Sequence, residues 1–365
     1  MTVGFFHDER CLWHSGGNYA GMLPVGGLVQ PMAGGLPENP ETKRRFVNLL
    51  QVTGLAHELR WSTAPAASTE DLLRVHPQSY LTAFKEMSDA GGGELGLRTP
   101  FGPDGYEIAA LSAGLTTAAV QQVLEGELGQ AYALSRPPGH HCLPDFPNGF
   151  CLMANIAIAV EAALHRKLAG RIAVLDWDVH HGNGTEAIFY DRPDVLTISV
   201  HQERNYPSDT GGFEARGTGA GEGANLNIPL PPGAGHNVYI KTMEQIVLPA
   251  LRNFQPDLIV VACGFDAAMI DPLSRMMARA ETFRAMTALV QDAARDLCDG
   301  KLVLSHEGGY SEVYVPFCGH AVMEQLTGST ITAPDPFEER FRDRQPSARF
   351  DQFAFGLLDE MAEAL

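Results

Sequence analysis

Short, uninterrupted apolar runs recur along the chain and alternate with longer amphipathic stretches. The runs at 3–6, 131–134, 172–177, 195–200, 258–263 and 302–305 have strand length and little polar interruption. That pattern is what strands buried on both faces require. Between them, 41–53, 106–124, 153–168, 238–253 and 281–297 place apolar residues at helical spacing, which predicts helices with one buried side. Strand followed by helix, repeated, predicts an α/β fold in which helices cover both faces of a parallel sheet.

No internal repeat and no flexible Gly/Ser linker divides the chain, so residues 1–365 read as a single domain. The segment 11–40 is rich in Gly and Pro and too long for an ordinary connection, which marks it as a rim loop at a site or a subunit contact. Beyond about residue 330, a Pro- and charge-rich passage leads to a peripheral helix at 350–365.

Chemistry gathers where the runs end. Leu175-Asp-Trp-Asp-Val-His-His-Gly-Asn-Gly184 begins in an apolar run and breaks at Gly182. In extended backbone, alternate residues face the same way, so Asp176, Asp178 and His180 project from one side at the carboxyl end of a parallel strand. Open α/β sheets bind ligands there. Carboxylates and imidazoles buried this close together need a cation or mutual hydrogen bonds to offset desolvation. Oxygen and nitrogen donors suit catalytic zinc, and ligand type also admits manganese or iron. Asp266 ends the run at 258–263; alone it would read as a helix cap. Ser135-Arg-Pro-Pro-Gly-His-His141 and His306-Glu-Gly-Gly-Tyr310 end two more runs. Paired histidines can act as general base and electrostatic partner, and a tyrosine hydroxyl can donate to a developing oxyanion.

Composition narrows the classes. The chain is 45% hydrophobic and 19% charged, enough apolar material for one large core. Its formal charge of -18 opposes phosphate-driven nucleic-acid binding, and none is expected. The most apolar stretch, 149–164, is broken by Asn155 and Glu161 and falls short of the roughly 20 residues that span a bilayer. Residues 1–10 carry no export signal, and the six cysteines include no Cys-x-x-Cys pair. Reduced, buried thiols in a cytoplasmic protein are the expectation. Gly217-Thr-Gly-Ala-Gly-Glu-Gly223 leads into the strand-like 225–230 and not into a helix, so it reads as a loop and not as a phosphate cradle.

Taken together, Arg136-Pro-Pro-Gly-His-His141, Gly149-Phe-Cys151 with Asn155, Asp176-Trp-Asp-Val-His-His-Gly-Asn-Gly184, Gly264-Phe-Asp-Ala267 and Glu307-Gly-Gly-Tyr310 resemble the histone deacetylase family. The match is to its class II branch and its bacterial histone deacetylase-like amidohydrolases, in order from about residue 40 to 325. The resemblance implies the arginase/deacetylase fold, with about eight parallel strands. It implies zinc on Asp178, His180 and Asp266, His141 as general base, and His140, held by Asp176, as an electrostatic partner. Asn183 would orient His141, and Tyr310 would bond the oxyanion. It also implies a structural potassium ion on Asp176, Asp178, the His180 backbone, Ser199 and the Val200 backbone, and a second near Phe189, Arg192 and Val195. Phe150 and Gly149 would wall a substrate tunnel. Tyr206 stands where the family usually has the facing phenylalanine, and Leu273 where the rim selects the amine.

The implied activity is removal of acetyl or other short acyl groups from lysine side chains or small acylated amines. Bacterial relatives imply a homo-oligomer, a dimer or tetramer. A two-manganese ureohydrolase would need an Asp-x-His-x-Asp arrangement that Asp178-Val-His-His181 lacks. A non-catalytic acyl-lysine module would have little use for Tyr310. An acetylpolyamine amidohydrolase of the same fold is the remaining alternative; such members carry glutamate at the position of Leu273.

Overall fold

The computed structural model describes residues 2–365. Its central sheet has eight strands: β1 Val3–Phe6, β2 Arg60–Ser62, β3 Gln130–Ala133, β4 Ile172–Asp176, β5 Val195–Gln202, β6 Asn225–Leu230, β7 Leu258–Cys263 and β8 Leu302–His306. They lie in the order β6-β5-β4-β7-β8-β3-β1-β2, and every pairing is parallel. Parallel pairing requires crossovers, which helices supply except between β5 and β6, where residues 203–224 form a long loop with one short turn of 3-10 helix at Gly219–Gly221.

The two faces of the sheet are buried in two separate cores. Helices Glu41–Thr53, Ala280–Cys298 and Val315–Thr327 pack on one, around Phe46, Trp177, Phe265 and Phe283. Helices Gln78–Asp89, Gly105–Leu124 and Asn155–His165 pack on the other, around Phe84, Leu115 and Ile158. In β4, Ala173 and Leu175 enter the first core and Ile172 and Val174 the second. Trp177 and Val179, already beyond the strand, continue into the first core. The side-to-side alternation therefore outlasts the ladder, and it turns Asp178 and His180 away from that core.

The apolar runs mark the strands to within a residue or two, and 41–53 is a helix from end to end. β2 carried no signal: it is a short edge strand with exposed and half-exposed residues. Val315–Thr327 also escaped, because it is buried nearly all round and so has no polar face to give a period. Residues 236–254 form one continuous helix with a π turn at Met243–Val247. No disulfide forms; all six cysteines are free and buried. Among the described residues, no helix is long and apolar enough to cross a membrane.

Candidate metal centre and pocket

Four neighbouring strands, β4, β7, β8 and β3, end at the same edge of the sheet and deliver the polar groups to one place. Asp178, His180 and Asp266 each offer a ligand atom within 4.8 Å of the others, and all three are buried. His180 Nδ1 lies 3.1 Å from Asp178 Oδ1 and 3.0 Å from Asp266 Oδ2. No helix follows Asp266, so it is not a cap; its Oδ1 accepts the Val179 amide at 2.8 Å. The Gly308 amide donates to Asp178 Oδ2 at 2.7 Å. A Cβ at Gly308 would sit 2.2 Å from Asp266 Oδ2, so only glycine lets the β8 turn come this close.

This set fits a divalent cation. Burial, reinforced by the Asp178 charge, pushes the Asp266 carboxyl up to about 6. Two fully buried carboxylates facing one imidazole are thus short of positive charge. A second cluster, His140, Cys151 and Glu307, is equally close-set but already committed. Glu307 Oε2 accepts the amides of Gly139 at 2.7 Å and His140 at 3.1 Å. Burial and the Glu307 charge push the Cys151 thiol well above its usual range, and a protonated thiol is a poor ligand.

The paired histidines are held differently. His140 Nδ1 donates to Asp176 Oδ2 at 2.9 Å. Burial opposes its charge, but Asp178 and Asp176 outweigh burial and hold its pKa well above the imidazole range. His141 Nδ1 donates to Asn183 Oδ1 at 2.8 Å. Burial and the charges of His140 and His180 hold His141 well below that range. One ring is charged, and its neighbour is neutral with Nε2 free to accept a proton.

A cavity of about 190 Å³ opens over these groups, with Gly149, Phe150, Tyr206, Leu273 and Tyr310 among its walls. Phe150 meets Tyr310 edge-on with ring centroids 5.7 Å apart, and Tyr206 meets His141 edge-on at 5.1 Å. The Tyr206 hydroxyl donates to Asn148 Oδ1, which turns it away from the imidazoles. Asp271 accepts the Tyr310 amide at 2.7 Å and the Leu273 amide at 2.9 Å, tying two walls together. Burial and the nearby aspartates keep the Tyr310 hydroxyl protonated, and so a donor. Ser199 pairs in register with Asp176 across β5 and β4.

Every site residue expected from the sequence around zinc and the tunnel lies at this one edge. Met22, from the 11–40 segment expected at a site rim or subunit contact, also lines the cavity, whereas sequence reasoning missed Arg98 and Asn205. Arg98 and Asn205 lie in connections outside the helices and strands, where neither periodicity nor a motif flags them.

The model of the histone deacetylase domain matches residues 36–326. A histone deacetylase-like amidohydrolase of Pseudomonas aeruginosa is 57% identical over 99% of this chain and 95% of its own. Histone deacetylase 8 of Arabidopsis thaliana is 35% identical over 82% of this chain and 80% of its own. The crystal structure of the HDA15 HD domain superposes with a TM-score of 0.83 at 30% identity, covering 99% of this chain and 94% of that one. With the motifs of β3, β4, β7 and β8 joined at one buried edge, the chain belongs to the histone deacetylase family.

Proposed function

We propose that this protein is a zinc-dependent amide hydrolase that removes acetyl or another short acyl group from a lysine-like amine. The observation that carries this reading is the meeting of a buried Asp178–His180–Asp266 ligand set with one cavity whose walls include His180, the Asn183-bonded His141 and the Tyr310 phenol. Zinc held there would supply a Lewis acid that polarises the acyl carbonyl and acidifies water.

The alkyl chain of the substrate lies between Phe150 and Tyr206. As water adds to the acyl carbon, His141 Nε2 takes its proton, and the Asn183 carbonyl stabilises the imidazolium so formed. Tyr310 donates to the oxygen that gains charge. The proton then passes from His141 to the amine nitrogen as the C–N bond breaks, giving an amine and a carboxylic acid. The amine takes up the remaining acid proton, so that carboxylate and ammonium leave. His140, charged and fixed by Asp176, adds favourable potential without giving up its proton. A structural potassium ion on Asp176, Asp178, Ser199 and the backbone of His180 and Val200 belongs to the same reading, supported by the β4–β5 register that sets Ser199 beside Asp176.

Turnover of acetyl-lysine peptides by the zinc-loaded protein tests the reading directly. Tyr310→Phe keeps the ring and removes one donor, so kcat falls by about 10² to 10³ while metal content holds. An unchanged kcat would give the oxyanion to another group. The apolar Leu273 wall favours the neutral backbone of an acetyl-lysine over the secondary ammonium of acetylspermidine. Leu273→Glu shifts the kcat/KM ratio toward the polyamine by about tenfold, the upper range for a partly exposed charge pair. A ratio that does not move removes Leu273 as the selector.

A further inference from the structure

Outside the metal centre, one charged side chain lines the pocket, and the proposed chemistry does not use it. Arg98 is partly exposed there, beside Phe150, Tyr206 and Leu273. Its guanidinium carbon lies 5.3 Å from the centre of the Tyr206 ring, within cation–π range. Among the described residues, no carboxylate pairs with it. Its near neighbour in sequence, Glu94, is committed to the Tyr19 hydroxyl and the Thr99 amide.

The backbone holds this side chain in place. Arg98 adopts the left-handed region at φ 58°, uncommon for a residue with a side chain. Its carbonyl accepts the Phe150 amide at 3.0 Å, and the carbonyl of Leu97 accepts the Gly149 amide at 3.0 Å. Arg98 is thereby fastened to the segment that builds the tunnel wall. Stacking on a ring leaves the edge of a guanidinium free to grip a carboxylate with two hydrogen bonds.

We propose that Arg98 binds a carboxylate that the substrate carries outside the tunnel. It is either the α-carboxylate of a free acyl-amino acid or an acidic residue flanking an acyl-lysine in a peptide. This rests on the deacylase reading above. The formal charge of -18 favours cations around the protein as a whole. That field is screened within about 8 Å at physiological salt, so a guanidinium in direct contact decides at the pocket.

Matched substrate pairs separate the sources. One pair is Nα-capped acetyl-lysine with a free carboxylate against its carboxamide. The other is a peptide with Glu against Gln next to acetyl-lysine. The zinc-loaded wild type is expected to favour the carboxylate member by about fivefold in kcat/KM, through KM, and less so as salt rises. In Arg98→Asn, whose side chain tolerates left-handed backbone, the ratio falls to about one; Arg98→Lys keeps part of it. A preference in only one pair names that source. Equal rates within both wild-type pairs, or a ratio unmoved in Arg98→Asn, overturn the role of Arg98 while leaving deacylation standing. A zinc-loaded wild type that turns over no member of either pair, charged or neutral, overturns the deacylase reading and this one with it.

Discussion

If the protein is the zinc hydrolase proposed above, Asp178→Ala and Asp266→Ala are each expected to lose zinc on dialysis and at least about 10³-fold in kcat, the several kcal/mol that a Lewis acid and water activator supplies. Each substitution removes one of three donors, and the other nearby acids are engaged: Asp176 by His140, Glu307 by two amides, Asp271 by the Tyr310 and Leu273 amides. Asp266→Asn separates metal loss from collapse of the site, because an amide oxygen can still accept from Val179. The metal-free protein adds a pH test with a fixed sign. A carboxyl raised to about 6 by burial and by Asp178 is held more favourably when protonated. Metal-free wild type therefore keeps that stability in acid and loses it as pH rises from the ordinary carboxylate range through about 6. Asp266→Asn flattens the decline. Full zinc occupancy in either alanine variant would remove these residues from the ligand set.

The parallel sheet was legible because its strands are buried on both faces and read as unbroken apolar runs. The interior strands β4, β7 and β8 appear in the sequence almost residue for residue. The edge was not legible: the Arg-Trp-Ser of β2 has no apolar run, because one side of an edge strand meets solvent. Val315–Thr327 shows the opposite failure, a helix too buried to display a polar face.

For the site, alternation along one segment was enough to group Asp176, Asp178 and His180, and it holds although the ladder stops at Asp176. It could not bring Asp266, His141 and Tyr310 to the same point. That depends on β3, β4, β7 and β8 being neighbours, an order set by crossovers and invisible to local pattern. Until the fold was in view, resemblance alone joined them. Arg98 stayed hidden for a different reason: its position follows from the backbone hydrogen bonds of Leu97 to Gly149 and of Arg98 to Phe150, which no side-chain pattern encodes.

The least legible feature is a buried charge cluster, and its removal has the largest expected effect on stability. Lys43 sits in Glu41-Thr-Lys-Arg-Arg45, which reads as a solvated helix face, yet it is fully buried. Its ammonium donates to Glu38 Oε1 at 3.1 Å, and Arg136 Nε donates to the same oxygen at 3.0 Å. Arg136 Nη1 also binds the carbonyls of Cys11 and His14, both at 3.0 Å. Glu38 thus fastens the 11–40 segment to the first long helix and to the turn that carries His140 and His141. Burial alone would raise its carboxyl, but Arg136 and then Lys43 outweigh burial and hold it far below the carboxylate range. One carboxylate therefore offsets two buried cations. Glu38→Gln keeps the shape and removes the charge, leaving both cations uncompensated, so unfolding in urea at fixed metal content weakens by about 3–5 kcal/mol. Adding Lys43→Met to that variant removes one stranded cation and recovers part of the loss, a coupling that a double-mutant cycle reads directly. If Glu38→Gln costs less than about 1 kcal/mol, or if the second substitution only adds to the damage, the carboxylate is not what holds these two cations in the interior.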